Sequence, residues 1–172
     1  FEPGDNRKTS WVGTLTVGTD IYYYPNKYKQ RYPNTSSDPV LEYNVMFRLS
    51  EQYLIRAEAR IRQNKISEGI ADLNVIRARA RAAATLAVPN PLPDLSSGLS
   101  QADALTAVER ERRSELFIEC GHRWFDLKRT GRLDAVMAAE KGSSWQTTDQ
   151  LFPVPQAEMA KNPNLKQNPG YN

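Results

Sequence analysis

The sequence predicts a mostly α fold: a TPR-like helix pair, further helices after it, and long irregular loops at the flanks. Three observations lead there. Apolar residues recur at helical spacing in windows near 47–64, 67–84, 101–119, 122–130 and 132–141. Small residues at Ala59, Ala71 and Ala78 fall twelve and seven apart, the spacing at which the two helices of a tetratricopeptide repeat approach closely. Proline and glycine punctuate the chain between these windows and leave little room for long strands.

In chain order, residues 1–45 read as irregular with extended pieces. Trp11–Val17 alternates, and Ile21–Tyr24 is a β-leaning run stopped by Pro25, so a hairpin within 10–45 adds minor strand. Six of the eight tyrosines fall between Tyr22 and Tyr43. They form either an aromatic platform for a ligand or a set of anchors that pin a loop by its rings. Consecutive residues of an extended segment point to opposite faces, so Tyr22 and Tyr24 would share a platform and Tyr23 would pack inward.

Leu49, Tyr53, Ala57 and Ile61 mark the first helix of the pair. Asn64-Lys65 makes a turn and Ser67 is the expected cap of the second, which carries Ile70, Leu73 and Ile76. Ile55 stands where the repeat usually has a large aromatic, and Ala83 where it closes on proline. A single repeat cannot bury both of its faces, so its neighbours are expected upstream, and residues 1–172 read as a single-domain fragment of a longer chain. The proline-rich stretch from Val88 to Gly98 cannot be helical and reads as a surface connector, with a binding loop as the alternative. Ser100-x-x-Asp103 then signals the start of the third helix. After Gly131, Leu133, Val136 and Met137 mark a short helix, followed by a polar loop bearing Trp145, a stacking residue for ligand or an anchoring ring. Beyond Leu151-Phe-Pro-Val-Pro come one turn of helix at Glu158-Met159 and Asn-Pro steps that favour turns and extended chain.

The chemistry concentrates in Glu109–Arg129, where charged residues alternate with Leu116, Phe117, Ile118, Trp124, Phe125 and Leu127. A solvated helix segregates its charges opposite its apolar residues. Here Leu105, Arg112 and Glu119 lie on one helical line, and Val108 and Glu115 on the next. Arg112, Glu115 and Glu119 therefore point inward, where charges are tolerated only when paired and hydrogen-bonded. With Arg123 and Asp126, three residues apart, they are assigned to a structural ion network that joins helices, over the alternative of a catalytic carboxylate site in which clustered acids and arginines shift one another's pKa. Gly121 is the expected left-handed residue closing this helix.

Several function classes are disfavoured. The net charge of +3, from 23 basic and 20 acidic residues, is not a nucleic-acid footprint, and Arg77, Arg79 and Arg81 are spaced to spread around a helix. The single histidine, His122, has no companion at metal-ligand spacing, and Cys120 makes a poor dyad with it. No glycine-rich phosphate loop is present, and acids in series on one arginine-rich helix suit the opposed carboxylates of a glycosidase badly. No catalytic residue, metal or cofactor is assigned. No apolar run reaches the length of about 20 residues that spans a bilayer.

The same stretch resembles the signature of the SusD/RagB family, the surface nutrient-binding lipoproteins of Bacteroidetes glycan-uptake systems. The resembling residues are Glu111-Arg112-Arg113, Glu115-Leu116, Glu119, Gly121-His122-Arg123, Asp126-Leu127 and Arg129. Asp5-x-Arg7, Lys27-Tyr28, the helix beginning Arg48-Leu-Ser-Glu-Gln-Tyr-Leu and the final Gln167-Asn-Pro-Gly-Tyr171 are similar too. The resemblance implies the C-terminal portion of an outer-membrane protein held on the extracellular face by a lipid anchor upstream of this fragment. It also implies a nutrient ligand, foremost a glycan or oligosaccharide, a SusC-like TonB-dependent transporter as partner, and no reaction. The family's ligand residues do not lie in these motifs, which leaves Tyr22, Tyr24 and Trp145 as the ligand-binding candidates read from this chain. A helical-repeat adaptor for a protein or peptide, without a sugar role, is the alternative.

Overall fold

The computed structural model describes residues 1–30, 42–43 and 45–171. These divide into two compact units, Phe1–Arg123 and Trp124–Asn172. Tyr32, one of the clustered tyrosines, lies outside the described residues.

The first unit opens with α1 (Asn6–Trp11), a short helix not anticipated above. The Asp5 carboxylate caps it by accepting from the Arg7 backbone N–H at 2.9 Å. An antiparallel hairpin follows, β1 (Val12–Val17) against β2 (Asp20–Pro25). Then come α2 (Leu49–Arg62), α3 (Ile66–Ala80) and α4 (Gln101–Glu115).

These three helices enclose one apolar core. Leu54, Ala57 and Ile61 of α2 meet Ile70, Leu73 and Ile76 of α3, and Ala104, Val108 and the following Leu116 close the third side. Each large aliphatic chain removed from water in this way contributes about 1.5–3 kcal/mol. Of the expected inward stripe of α2, Ala57 and Ile61 are buried and Tyr53 packs against the core, while Leu49 at the start of the helix is 74% exposed. Ala59, Ala71 and Ala78 are exposed as well. The close approach is instead at Ala57 and Gly69, also twelve apart but two residues earlier. A Cβ on Gly69 would sit 2.5 Å from Ile61 and 2.8 Å from the Ala57 carbonyl. Packing of α4 against α2 and α3 decides which stripe turns inward, and the pair alone does not contain that information.

Helix boundaries are corrected in three places. The second helix starts at Ile66 with Lys65 as its first residue outside, not at a Ser67 cap, because the Lys65 carbonyl already accepts from Gly69 N–H. It ends at Ala80, because Arg81 turns extended and bridges to Asp5 while Ala82 N–H donates to the Gly4 carbonyl. The third helix stops at Glu115 instead of running to 119. Ile118, Cys120 and Gly121 all adopt positive φ, so Gly121 ends a left-handed turn well past the helix and not the helix itself. The Ser100 cap is present, its hydroxyl accepting from Asp103 N–H at 3.1 Å.

In the second unit, α5 (His122–Arg129), which begins at the end of the first unit, leads to α6 (Leu133–Lys141), two 3₁₀ turns at 142–144 and 147–150, and α7 (Gln156–Lys161). The terminal residues fasten the extended stretch before α7. Gln167 donates to the Val154 carbonyl and accepts from its N–H, Asn168 donates to the Phe152 carbonyl, and Tyr171 Oη donates to the Leu151 carbonyl. Three polar side chains thus satisfy a backbone that no sheet partner serves.

Candidate functional site

The first unit combines a buried ion network with an exposed aromatic hairpin. Glu115 is the centre of the network and has no solvent exposure. Its Oε1 accepts from Arg48 Nη1 at 2.9 Å and Arg79 Nη2 at 2.6 Å, and its Oε2 from Arg7 Nη1 at 3.0 Å and Arg79 Nη2 at 2.6 Å. Arg7 also reaches Glu111 at 2.6 Å and lies along Asp5, with Nη2 2.8 Å from Oδ2. Arg77 spans Glu2, Glu111 and the Pro93 carbonyl. Glu119 accepts from Arg48 Nε at 3.1 Å and pairs with Lys27 at 2.7 Å. Lys27 lies over the Trp11 ring at 3.9 Å.

Among the described residues named in this network, five carboxylates meet five cations, drawn from the N-terminal segment, the stretch between the hairpin and α2, helices α3 and α4, and the turn after α4. Its titration follows from burial against pairing. Burial pushes the Glu115 carboxyl up, but hydrogen bonds and charge from Arg79, with the charge of Arg48, hold it below the ordinary value. For Glu111 burial wins over Arg7 and Arg77, and its carboxyl is raised. Burial likewise outweighs Glu119 at Lys27 and lowers that ammonium. Burial opposes the charge on Arg7, yet Asp5 and Glu111 more than offset it and keep the guanidinium protonated.

The sequence expectation placed Arg112, Glu115, Glu119, Arg123 and Asp126 in one network. Arg112, Glu115 and Glu119 are buried, and the partners described for the two glutamates come from distant segments. Asp126, in the second unit, accepts from Arg129 Nε at 2.8 Å. Arg77 and Arg79, read above as spread around a helix, both turn into the network, while Arg81 leaves the helix for the Leu92 carbonyl and Asp94. The spacing within one helix had no means of announcing Arg7, Lys27, Arg48, Arg77 or Arg79 as partners. Asp5-x-Arg7, Lys27 and Arg48 were visible only through the family resemblance.

The hairpin register pairs Gly13 with Tyr24, Leu15 with Tyr22 and Thr14 with Tyr23. Tyr22 and Tyr24 therefore share a face with Leu15 and Val17. Tyr22 is 55% and Tyr24 37% exposed. Tyr24 lies across β1 because residue 13 is glycine: a Cβ there would come within 2.4 Å of the ring. Tyr23 does not pack inward; at 68% exposed it is the most open of the three, since no described element covers the other face of this two-stranded ribbon. Trp145, in the second unit, is partly buried. Its indole N–H donates to Asp134 at 3.0 Å and its ring meets Trp124 edge-on at 6.1 Å, with Lys141 5.9 Å from the ring centre. Among the described residues no cluster of three or more His, Cys, Asp or Glu side chains is arranged to hold a metal ion, and no helix is long and apolar enough to cross a membrane.

The first unit is thus a repeat-type helix pair packed on a third helix, with buried charge between α3 and α4 and an aromatic ribbon before the pair. Residues 7–171 match the sequence profile of the SusD family, and the chain belongs to that family. It is 34% identical over 137 residues to SusD-like protein P2 of Formosa agariphila, and 32% identical over 128 residues to SusD-like protein P38 of the same organism. Each match takes in 74% of this chain, but only 26% and 24% of those proteins, so the chain spans about a quarter of their length. A crystal structure of a SusD superfamily protein from Bacteroides vulgatus superposes with a TM-score of 0.67 at 30% identity, over 98% of this chain and 36% of that one. Another, from Bacteroides fragilis, has a TM-score of 0.68 at 23% identity, over 100% of this chain and 39% of the other, and speaks to the fold alone.

Proposed function

We propose that this chain is the C-terminal part of a non-catalytic, surface-exposed nutrient-binding protein that captures a glycan and passes it to a SusC-type TonB-dependent transporter in the outer membrane. Membership of the SusD family supports this reading. The observation that carries it in this molecule is the face shared by Tyr22 and Tyr24, two solvent-facing rings beside each other on a ribbon fixed to a rigid frame. Rings so placed stack on the apolar face of a sugar, and binding needs no further chemistry. The disposition of the acids supports the absence of catalysis: Glu111, Glu115 and Glu119 are each committed to arginine or lysine inside the network.

Calorimetric titration of the full-length parent protein with a panel of oligosaccharides tests this. The Tyr22→Ala/Tyr24→Ala variant is expected to lose at least tenfold in affinity while keeping its melting temperature. Unchanged affinity would reduce these tyrosines to loop anchors. The adaptor reading draws on Leu49, Ile55 and Val75, apolar side chains exposed on the helix pair. It is favoured if the parent protein binds no saccharide in the panel and Ile55→Asp abolishes a peptide complex.

A further inference from the structure

We propose that α4 carries a second subsite, built on Arg110, Arg113 and Phe117, for an anionic saccharide: a pyranose bearing a carboxylate or a sulfate ester. The buried arginines Arg7, Arg48, Arg77 and Arg79 are each matched by carboxylates. Arg110 and Arg113 are exposed and carry no ion pair or hydrogen bond among the described residues. One turn apart, they project on the same side of the helix. They line a cavity of about 540 Å³ together with Phe1, Glu2, Ser114 and Phe117. A neighbouring cavity of about 410 Å³ shares Arg113 and Phe117 with it. Each is of a size that takes a small organic ligand.

The charge balance of this place is positive. Glu2 is turned toward Arg77, whose hydrogen bond holds its carboxyl below the ordinary value, with a smaller contribution from Arg110. Glu119, at the second cavity, is engaged by Lys27 and Arg48. His122 there lies 3.7 Å from Glu51. The arginines are thus the groups left to receive an incoming anion, and a guanidinium presents paired donors that match a carboxylate or sulfate.

Phe117 lines both cavities. Phe117 meets Phe1 edge-to-face with ring centres 5.6 Å apart, an apolar surface beside the cationic one. Just beyond it, Ile118 holds φ at +56°, a conformation that a β-branched residue adopts only under constraint from its surroundings, as binding loops often do. The anionic half of the assignment rests on the two arginines. The saccharide half rests on the capture reading above.

The test titrates the full-length parent protein with three probes: oligogalacturonate, a sulfated galactan oligosaccharide and a neutral malto-oligosaccharide. The subsite predicts that at least one anionic probe binds, with affinity that falls as sodium chloride is raised. In the Arg110→Ala/Arg113→Ala variant that affinity drops at least tenfold, and the Arg110→Lys/Arg113→Lys variant recovers part of it. Whichever anionic probe responds identifies carboxylate or sulfate. Failure of both anionic probes to bind, or binding untouched by the alanine pair, overturns the subsite. Binding of inorganic sulfate alone, or of an acidic peptide in place of both saccharides, overturns the saccharide assignment. A neutral probe lost in the Tyr22→Ala/Tyr24→Ala variant and kept in the arginine variant upholds the capture reading by itself and separates the two outcomes. Both arginines are exposed, so the thermal melt of the alanine pair should match the parent and exclude a folding defect.

Discussion

Replacing Glu115 by glutamine keeps its volume and removes its charge at the centre of the network. Three guanidiniums then face a neutral amide whose NH₂ group cannot accept from them. Breaking a buried ion pair from one side costs about 3–5 kcal/mol, because the remaining charge is uncompensated. Here the lower end applies. Arg7 retains Asp5 and Glu111, Arg48 retains Glu119, and Arg79, with its side chain 54% exposed, can take up water. The expected loss is therefore about 3 kcal/mol, and the melting temperature should fall by about 6–12 °C for a domain of this size. Urea unfolding followed by far-UV circular dichroism measures it. Arg62→Ala is the control, since its i, i+4 pair with Glu58 lies on the exposed side of α2 and contributes no more than about 1 kcal/mol. A Glu115→Gln loss as small as that of Arg62→Ala would refute the view that burial makes this carboxylate essential to the frame.

The same carboxylate sets part of the acid limb. Because its folded pKa is lowered, its contribution is complete above the ordinary value of 4.5 and disappears as pH falls below that through the folded value. The stability difference between the parent and Glu115→Gln should therefore shrink in urea titrations at pH 3 relative to pH 7, and a constant difference would contradict the assignment. Gly69→Ala forces a methyl onto Ile61 and the Ala57 carbonyl, so it should cost about 1–3 kcal/mol despite the higher helix propensity of alanine; a gain in stability would show that the helices can separate without penalty. Ser100→Ala removes the cap of α4 and should cost about 0.5–2 kcal/mol, read from the same urea curves.

Local signals carried much of the fold. Helical periodicity placed all five main helices within a few residues, the alternating Trp11–Val17 run and Pro25 bounded the ribbon, and Ser100-x-x-Asp103 marked where α4 begins. The buried line through Val108, Arg112 and Glu115 was legible because charges sat where apolar residues should sit. What the sequence lacked was any account of which segments would answer those charges. Arg7 and Glu115 are 108 residues apart along the chain, and no periodicity spans that distance. The apolar stripe of the pair was legible at Ala57, Ile61, Ile70, Leu73 and Ile76, but its close small-residue contact was misplaced by two residues for a related reason. Two amphipathic helices offer more than one apolar seam, and the choice falls to the third helix that covers one of them. The ends of α3 and α4 were misplaced because their last predicted turns are drawn into tertiary bonds, Arg81 to Asp5 and Glu119 to Lys27 and Arg48. Local propensity thus determined that helices form and roughly where. Tertiary contacts, which outweigh a few tenths of a kilocalorie of helix propensity at each end, decided the rest: backbone bonds at Arg81 and Ala82 and buried charge at Glu119 where α3 and α4 stop, and apolar packing of α4 which way the pair faces.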